Sequence, residues 1–315
     1  MGNEFITQPK LGISNHLPAH HIRLLKMASY GSFGLAICLI ALKTWAWIAS
    51  DAISMQASLV DSLVDAFSSF INLIAITHAI KPADEEHRFG HGKIEAVAAQ
   101  GQSLFVGGTA IWIIFEAFHR FLHPQPLENL NLGLIVSCFT IVSSMALVLF
   151  QNHVIKVTRS PAIKADSLHY KSDLLLNLSV IGGLVGVSYF QLQWMDAACG
   201  LLIGFYIAYT SWSMAREAFD ILIDREIPDH DREAIVKIIH QHPEVKGFHD
   251  LKTRSSGQHH FIQLHLELDG HMTLFEAHRI SLQVADEIRQ QFPKTEVLIH
   301  EDPFDGHDDS PPPKK

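Results

Sequence analysis

Residues 58–80 read SLVDSLVDAFSSFINLIAITHAI, an apolar stretch that contains two aspartates, Asp61 and Asp65. The stretch is long enough to cross the hydrocarbon of a bilayer, which takes about 20 residues of helix. The two carboxylates are four positions apart and therefore lie on one face of a helix. Each costs about 2.5–3.5 kcal/mol inside a membrane, so something must compensate for them. The stretch predicts a transmembrane helix that carries a functional site.

The whole chain divides into an apolar part and a polar part. Of its 315 residues 48% are hydrophobic and only 18% are charged, which excludes an ordinary soluble protein. Six stretches are apolar and long enough to span a membrane, and they cover residues 28–49, 53–80, 94–118, 131–152, 168–190 and 194–214. We therefore predict an α-helical membrane protein with six transmembrane helices in a domain over residues 28–225, preceded by a tail over residues 1–27.

Lysine and arginine are concentrated on one side of these spans. The N-terminal tail, the 81–93 loop and the 151–167 loop each hold three basic residues, whereas the opposite side holds Arg120. Basic residues near span ends mark the cytoplasmic side. Both termini and the C-terminal domain are therefore predicted to be cytoplasmic.

Residues 226–305 have the pattern of a small soluble domain. An amphipathic helix opens at Pro228 and Asp229, and the stretch HHFIQLHLEL alternates apolar and polar residues as a half-buried strand does. A hairpin partner before it, the amphipathic helix LFEAHRISLQVADEIRQQF and the closing strand TEVLIHEDP complete an αββαβ order. This order predicts an α+β domain with its helices on one face of the sheet. The composition of residues 306–315 predicts a disordered tail.

A second pair of ionisable residues occurs at the start of the fifth span. His169 and Asp173 in HYKSD repeat the four-residue spacing of Asp61 and Asp65. Together the two pairs supply four nitrogen and oxygen ligands, the number that Zn²⁺ takes in tetrahedral sites. A ligand set without sulfur leaves zinc, cadmium, ferrous iron and cobalt open. The alternative is that the aspartates are helix-packing groups bonded to neighbouring serines and that His169 is an interfacial residue.

Two further clusters of histidine and carboxylate lie outside the spans. Asp84, His87 and His91 fall within eight residues of the loop PADEEHRFGHGKIE, and a solvated acidic loop is the alternative interpretation. A larger set in the soluble domain occupies strands and a helix that one sheet would bring together. Its members are His249, His265, His278, His300 and Asp302. A bridging carboxylate would make this set a binuclear metal site, and ordinary surface histidines are the alternative.

The motifs SLVDSLVD, PADEEHRFGHGK, ADSLHYKSD, LIDRE, HDLKTR, QLHLELDG and VLIHEDP occur in this order along the chain. In this series the chain resembles the cation diffusion facilitator family, in particular its bacterial zinc and ferrous-iron efflux branch. The resemblance implies a homodimer in the bacterial inner (plasma) membrane, with six membrane helices and a metallochaperone-like cytoplasmic domain in each subunit. It also implies export of a divalent metal in exchange for protons.

The same resemblance gives each cluster a role. It makes the four ligands of the second and fifth spans a transport site, the loop cluster a second metal site, and the soluble cluster a binuclear regulatory site at the dimer interface. Lys93 and Asp224 match a charge pair that in relatives joins the third span to the end of the sixth. Glu301 stands where relatives often carry glutamine, which bears on the charge of the soluble site.

The predicted function is efflux of a divalent metal cation by alternating access, with Zn²⁺ as cargo and regulatory ion and with Cd²⁺ and Fe²⁺ as alternatives. A membrane-anchored metal sensor without transport is the rival hypothesis. An enzyme is not expected, because the H-E-x-x-H pattern of an intramembrane metalloenzyme does not occur, and no organic cofactor motif is visible. The net charge of −9 and the pI near 6.1 argue against a nucleic-acid partner. The expected partners are divalent metal ions, protons, the lipid bilayer and a second copy of the chain.

Overall fold

The computed structural model describes residues 18–50, 53–122, 131–190 and 194–304. Within these ranges the chain forms two compact units, which divide between Ile223 and Asp224. The predicted disordered tail over residues 306–315 and most of the predicted N-terminal tail lie outside the described residues.

The first unit consists of long helices, as the six apolar stretches predict. Its elements are α1 (Ala19–Ser50), α2 (Ile53–Ala79), α3 (Lys93–Leu122), α4 (Asn131–Thr158), α5 (Pro161–Phe190) and α6 (Trp194–Leu222). The predicted six-helix architecture is confirmed, and α1 begins well before the apolar span at residue 28. The start of α5 follows local rules: the Ser160 hydroxyl accepts a hydrogen bond from the backbone N–H of Ile163, and Pro161 occupies the first helical turn.

Five of these helices, α1, α2, α3, α4 and α6, are long and apolar enough to cross a membrane by their described residues. The exception, α5, is 30 residues long and carries four charged residues in its first half, namely Lys164, Asp166, Lys171 and Asp173. Its side chains beyond residue 178 lie outside the described ones. The least apolar helix of the bundle therefore carries two of the four predicted transport ligands, His169 and Asp173.

Small residues let α3 and α6 pack closely. A Cβ on Gly204 would lie 2.7 Å from Cγ1 of Ile114, and a Cβ on Gly107 would lie 3.0 Å from the Ser211 hydroxyl. Close approach at small residues is a usual way for membrane helices to associate, because lipid gives them little hydrophobic driving force. An apolar cluster that includes Leu168 and Met214 then joins this helix pair to α5.

The second unit has the predicted αββαβ order. Its elements are α7 (Asp229–His240), β1 (Gly247–Ser256), β2 (His259–Asp269), α8 (Leu274–Gln291) and β3 (Thr295–Phe304). The central strand β2 pairs antiparallel with β1 and parallel with β3. Since adjacent parallel strands need a crossover connection, α8 has to return the chain across the sheet.

The alternating pattern of β2 divides the sheet into an apolar and a polar face. Leu264 and Leu266 are at most 1% exposed and pack with apolar residues of both helices. Each buried leucine contributes about 1.5–3 kcal/mol. His265 and Glu267 alternate with them and are only partly buried. The register pairs His265 with His249 of β1 and with His300 of β3, so three histidines form one row across the sheet.

Candidate metal centres

In the membrane unit, α2 and α5 bring a carboxylate pair to one histidine. The His169 Nε2 atom lies 3.0 Å from Oδ1 of Asp65 and 3.7 Å from Oδ2 of Asp173. His169 is 5% exposed, and the two carboxylates are partly buried. One ligand atom from each of the three residues lies within 4.8 Å of the others. The predicted fourth ligand, Asp61, lies on α2, but its side chain is outside the described ones.

The His169 ring is set up to present Nε2 as a ligand. Among the described residues, this buried nitrogen has no hydrogen-bond partner of suitable geometry, although a carboxylate oxygen is close to it. The rings of Phe105 and Tyr170 contact the imidazole edge to face, at centroid distances of 6.1 and 5.6 Å. A buried imidazole nitrogen without an aligned hydrogen bond is costly, and this nitrogen and the two carboxylates could together hold a divalent cation.

A polar network that sequence reasoning missed holds α5 just before the site. Asp166 is fully buried and accepts hydrogen bonds from Gln151 Nε2 at 2.7 Å, Ser32 Oγ at 2.5 Å and Gln102 Nε2 at 3.2 Å. These donors come from α4, α1 and α3. The Tyr170 hydroxyl also donates to the backbone carbonyl of Ser32 at 2.9 Å. The network fixes the helix turn that carries His169, and the available sequence signal was an aspartate just before the fifth predicted span.

The loop between α2 and α3 brings its three predicted residues together. The Asp84 carboxylate lies 3.2 Å from Nδ1 of His87 and 3.3 Å from Nε2 of His91. Gly90 has a φ of 79°, a left-handed conformation that glycine adopts without strain, and it turns the chain back between the two histidines. The backbone N–H of His87 donates to Asp84 at 2.7 Å and lowers the pKa of that carboxyl below its usual value. The carboxylate is therefore ionised and available to a cation at neutral pH.

The sheet of the second unit gathers most of the predicted soluble cluster around Asp302. Its Oδ2 atom lies 2.7 Å from Nδ1 of His265 and 3.4 Å from Nε2 of His249. Its Oδ1 atom lies 3.2 Å from Nε2 of His300. The two oxygens thus face different histidines, an arrangement suited to a carboxylate that bridges two ions.

The fifth predicted member of this cluster stands apart from the others. His278, on α8, is 60% exposed, and its Nδ1 atom lies 3.6 Å from Oε1 of Glu301. The described cluster with metal-binding geometry consists of His249, His265 and Asp302. A role for His278 in metal binding stays a prediction.

Glu267, a carboxylate to which the sequence analysis gave no role, orients one histidine of the soluble cluster. Glu267 accepts from Nδ1 of His249 at 2.9 Å, which leaves Nε2 of that ring directed to Asp302. A carboxylate on the far nitrogen of a metal-binding histidine fixes its tautomer and orientation. Gly247, its partner on the neighbouring strand β1, leaves room for the Glu267 side chain. A Cβ at position 247 would lie 2.4 Å from Oε2 of the glutamate.

The predicted charge pair involves one residue from each unit. Lys93 Nζ donates to the carbonyl of Leu222 at 3.3 Å, at the end of α6. Asp224 accepts from Nη1 of Arg254 at 3.4 Å. The pairing of Lys93 with Asp224 stays a prediction.

Comparison with known proteins agrees with this architecture. Residues 30–223 match a family model described as the cation efflux transmembrane domain, and residues 227–304 match one described as the cation efflux protein, cytoplasmic domain. A cation-efflux pump FieF from Serratia proteamaculans is 42% identical over 283 residues, which are 90% of this chain and 94% of the relative.

Two other matches are a further relative and a solved structure. A cation-efflux pump FieF from Shewanella oneidensis is 44% identical over 279 residues, covering 89% of this chain and 94% of the relative. A solved structure entitled "Mode of Action of a Putative Zinc Transporter CzrB" is 30% identical, covers 24% of this chain and 96% of its own, and has a TM-score of 0.24. Since the two family models together span nearly all described residues, the chain belongs to the cation diffusion facilitator family of cation efflux proteins.

Proposed function

We propose that this chain is a proton-coupled exporter whose principal substrate is Zn²⁺, with Cd²⁺ and Fe²⁺ as alternatives. Asp61, Asp65, His169 and Asp173 form the site that carries the ion across the membrane. The observation that carries the proposal is the buried His169 Nε2 atom, which lies against two carboxylates and has no aligned hydrogen-bond partner among the described residues. Its donor set of nitrogen and oxygen atoms suits Zn²⁺.

Competition between metal and protons at this site would couple the two fluxes. A histidine must lose its proton, and a carboxylic acid must ionise, before either can hold a metal ion. Histidine changes its charge between about pH 5 and pH 8, the range in which the two sides of a bacterial inner membrane differ. Zn²⁺ from the cytoplasm would therefore displace protons, and protons from the more acidic outer side would displace Zn²⁺.

Alternating access requires the contacts on one side of the site to break. Three polar contacts tie the first turns of α5 to α3 and α6, on the side of the site that faces the 80–92 loop. They join Ser160 to Glu95, Asp166 to Gln102, and Lys164 to Glu217. With the loop on the cytoplasmic side, these three contacts lie on the cytoplasmic side of the site. Opening inward would separate these pairs.

The remaining sites regulate or feed this exchange. Both termini and the domain over residues 226–305 are cytoplasmic, the domain over residues 28–225 carries out transport, and the protein works as a homodimer. Metal in the cluster around Asp302 stabilises the paired soluble domains and biases the transport equilibrium. The loop cluster around Asp84 binds a further ion. The chain is thus a transporter and not an enzyme.

The test is metal flux into proteoliposomes that hold the purified full-length chain, with dyes for lumenal zinc and lumenal pH. Wild type should move Zn²⁺ inward while protons leave, and Asp65→Ala should abolish both signals. Asp286→Ala is the matched control, because that exposed carboxylate on α8 lies outside all three clusters. Repeating the assay with Cd²⁺ and Fe²⁺ ranks the substrates.

Two results would contradict the proposal. Zn²⁺ binding to wild type without flux under any pH gradient would favour the membrane-anchored sensor. Full flux in Asp65→Ala would place the transport site elsewhere.

A further inference from the structure

Lys43 is a buried cation inside the membrane unit. The residue lies on α1 and is 6% exposed, although lysine is almost never buried without a partner. Its Nζ atom donates to Ser62 Oγ at 2.6 Å and to the backbone carbonyl of Ser58 at 3.1 Å. Both acceptors are neutral, so the hydrogen bonds satisfy the ammonium group without cancelling its charge.

This charge faces the same cavity as the transport carboxylates. A cavity of about 30 Å³, enough for one water molecule, is lined by Lys43 and Ser62 together with Asp65 and Asp173. A positive charge here acts on any cation at the candidate site across a cavity that holds about one water molecule, where charges interact more strongly than they do in bulk water.

Lys43 lies on the side of the site away from the 80–92 loop. It is seven positions before the end of α1 at Ser50, about 10 Å along the helix. Asp65 is twelve positions after the start of α2 at Ile53, about 18 Å along that helix. Because α1 and α2 meet at this end, the ammonium group stands between the candidate site and the membrane face opposite the loop.

We propose that Lys43 lowers the affinity of the transport site for divalent metal and so promotes release on the outer side. This inference rests on the transport function proposed above. A fixed positive charge repels a divalent ion twice as strongly as a proton at the same position. It therefore favours exchange of the metal for a proton and opposes re-entry of the divalent metal from outside. Lys43 acts through this field and is not itself a ligand.

The experiment replaces the charge and keeps the volume. Lys43→Met removes the ammonium group, and Lys43→Arg retains a positive charge as the matched control. Zn²⁺ affinity is measured by competition with a chelator on the full-length chain, in a background that carries Asp84→Ala and Asp302→Ala so that the transport site dominates. Turnover is measured in proteoliposomes at saturating Zn²⁺.

Lys43→Met should bind Zn²⁺ at least about tenfold more tightly and turn over more slowly, while Lys43→Arg stays close to the background protein. A merely structural role predicts the reverse sign, because a damaged site binds more weakly. Unchanged or weaker binding in Lys43→Met, with wild-type flux intact, overturns the inference alone. Absence of wild-type flux overturns the proposed function, and absence of Zn²⁺ binding at this site overturns both.

Discussion

Gly247→Ala should weaken metal binding at the soluble cluster without touching a ligand. The new Cβ would lie 2.4 Å from Oε2 of Glu267, whereas unstrained contacts need about 3.5 Å, so the carboxylate must move by about 1 Å. That movement would break its 2.9 Å hydrogen bond to His249. Losing a carboxylate behind a metal-binding histidine costs about 10–100-fold in affinity, or about 1.4–2.7 kcal/mol. The fold should persist, because the end of a flexible side chain can give way.

The assay is Zn²⁺ competition with a chelator on the full-length chain carrying Asp65→Ala and His91→Ala, which leaves the soluble cluster as the remaining proposed site. Gly270→Ala serves as the control, since its Cβ would meet Pro303 Cβ at 3.4 Å, an ordinary contact. Both variants should have the same circular dichroism spectrum. Wild-type affinity in Gly247→Ala would refute the supporting role of Glu267.

Two further substitutions probe the transport site and the soluble domain. His169→Asp should weaken proton coupling and relax discrimination among Zn²⁺, Cd²⁺ and Fe²⁺, as measured by flux with each ion; unchanged selectivity would count against its role as a ligand. Thr273→Ala should cost the soluble domain about 1 kcal/mol in denaturant unfolding, because Thr273 and Glu276 form a capping box at the start of α8. The Thr273 backbone N–H lowers the pKa of Glu276 from its ordinary 4.5, so this carboxylate stabilises the fold above pH 4.5. The stabilisation is lost as the pH falls through the lowered pKa. The Thr273 hydroxyl also donates to this carboxylate at 2.8 Å, and Thr273→Ala removes that bond but keeps the backbone one, so the gap between wild type and Thr273→Ala should narrow there.

Length and apolarity were enough to predict the six helices, and alternation was enough to predict the polar face of β2. Neither signal contains the register between strands. The row of His249, His265 and His300 exists because β1 and β3 pair with β2 at those positions. Similarly, the contact between His169 and Asp65 depends on how α5 packs against α2, whereas the spacing of His169 and Asp173 within α5 was visible in the sequence.

The residues that sequence reasoning missed affect the metal sites through their neighbours in the folded structure, and they belong to no sequence motif. Gly247 matters because Glu267 fills the volume that its side chain would take, and Lys43 matters because it shares a cavity with two carboxylates of another helix pair. Both positions look ordinary in the sequence: one is a glycine at a strand end, and the other is a lysine toward the end of an apolar span. A motif series of this kind therefore identifies the metal ligands. The groups that adjust the affinity for the metal can be identified only from the packing of the helices and strands. Substitutions at these supporting positions should change metal affinity in opposite directions, tighter at Lys43 and weaker at Gly247. A chain in which the clusters were incidental would show neither effect.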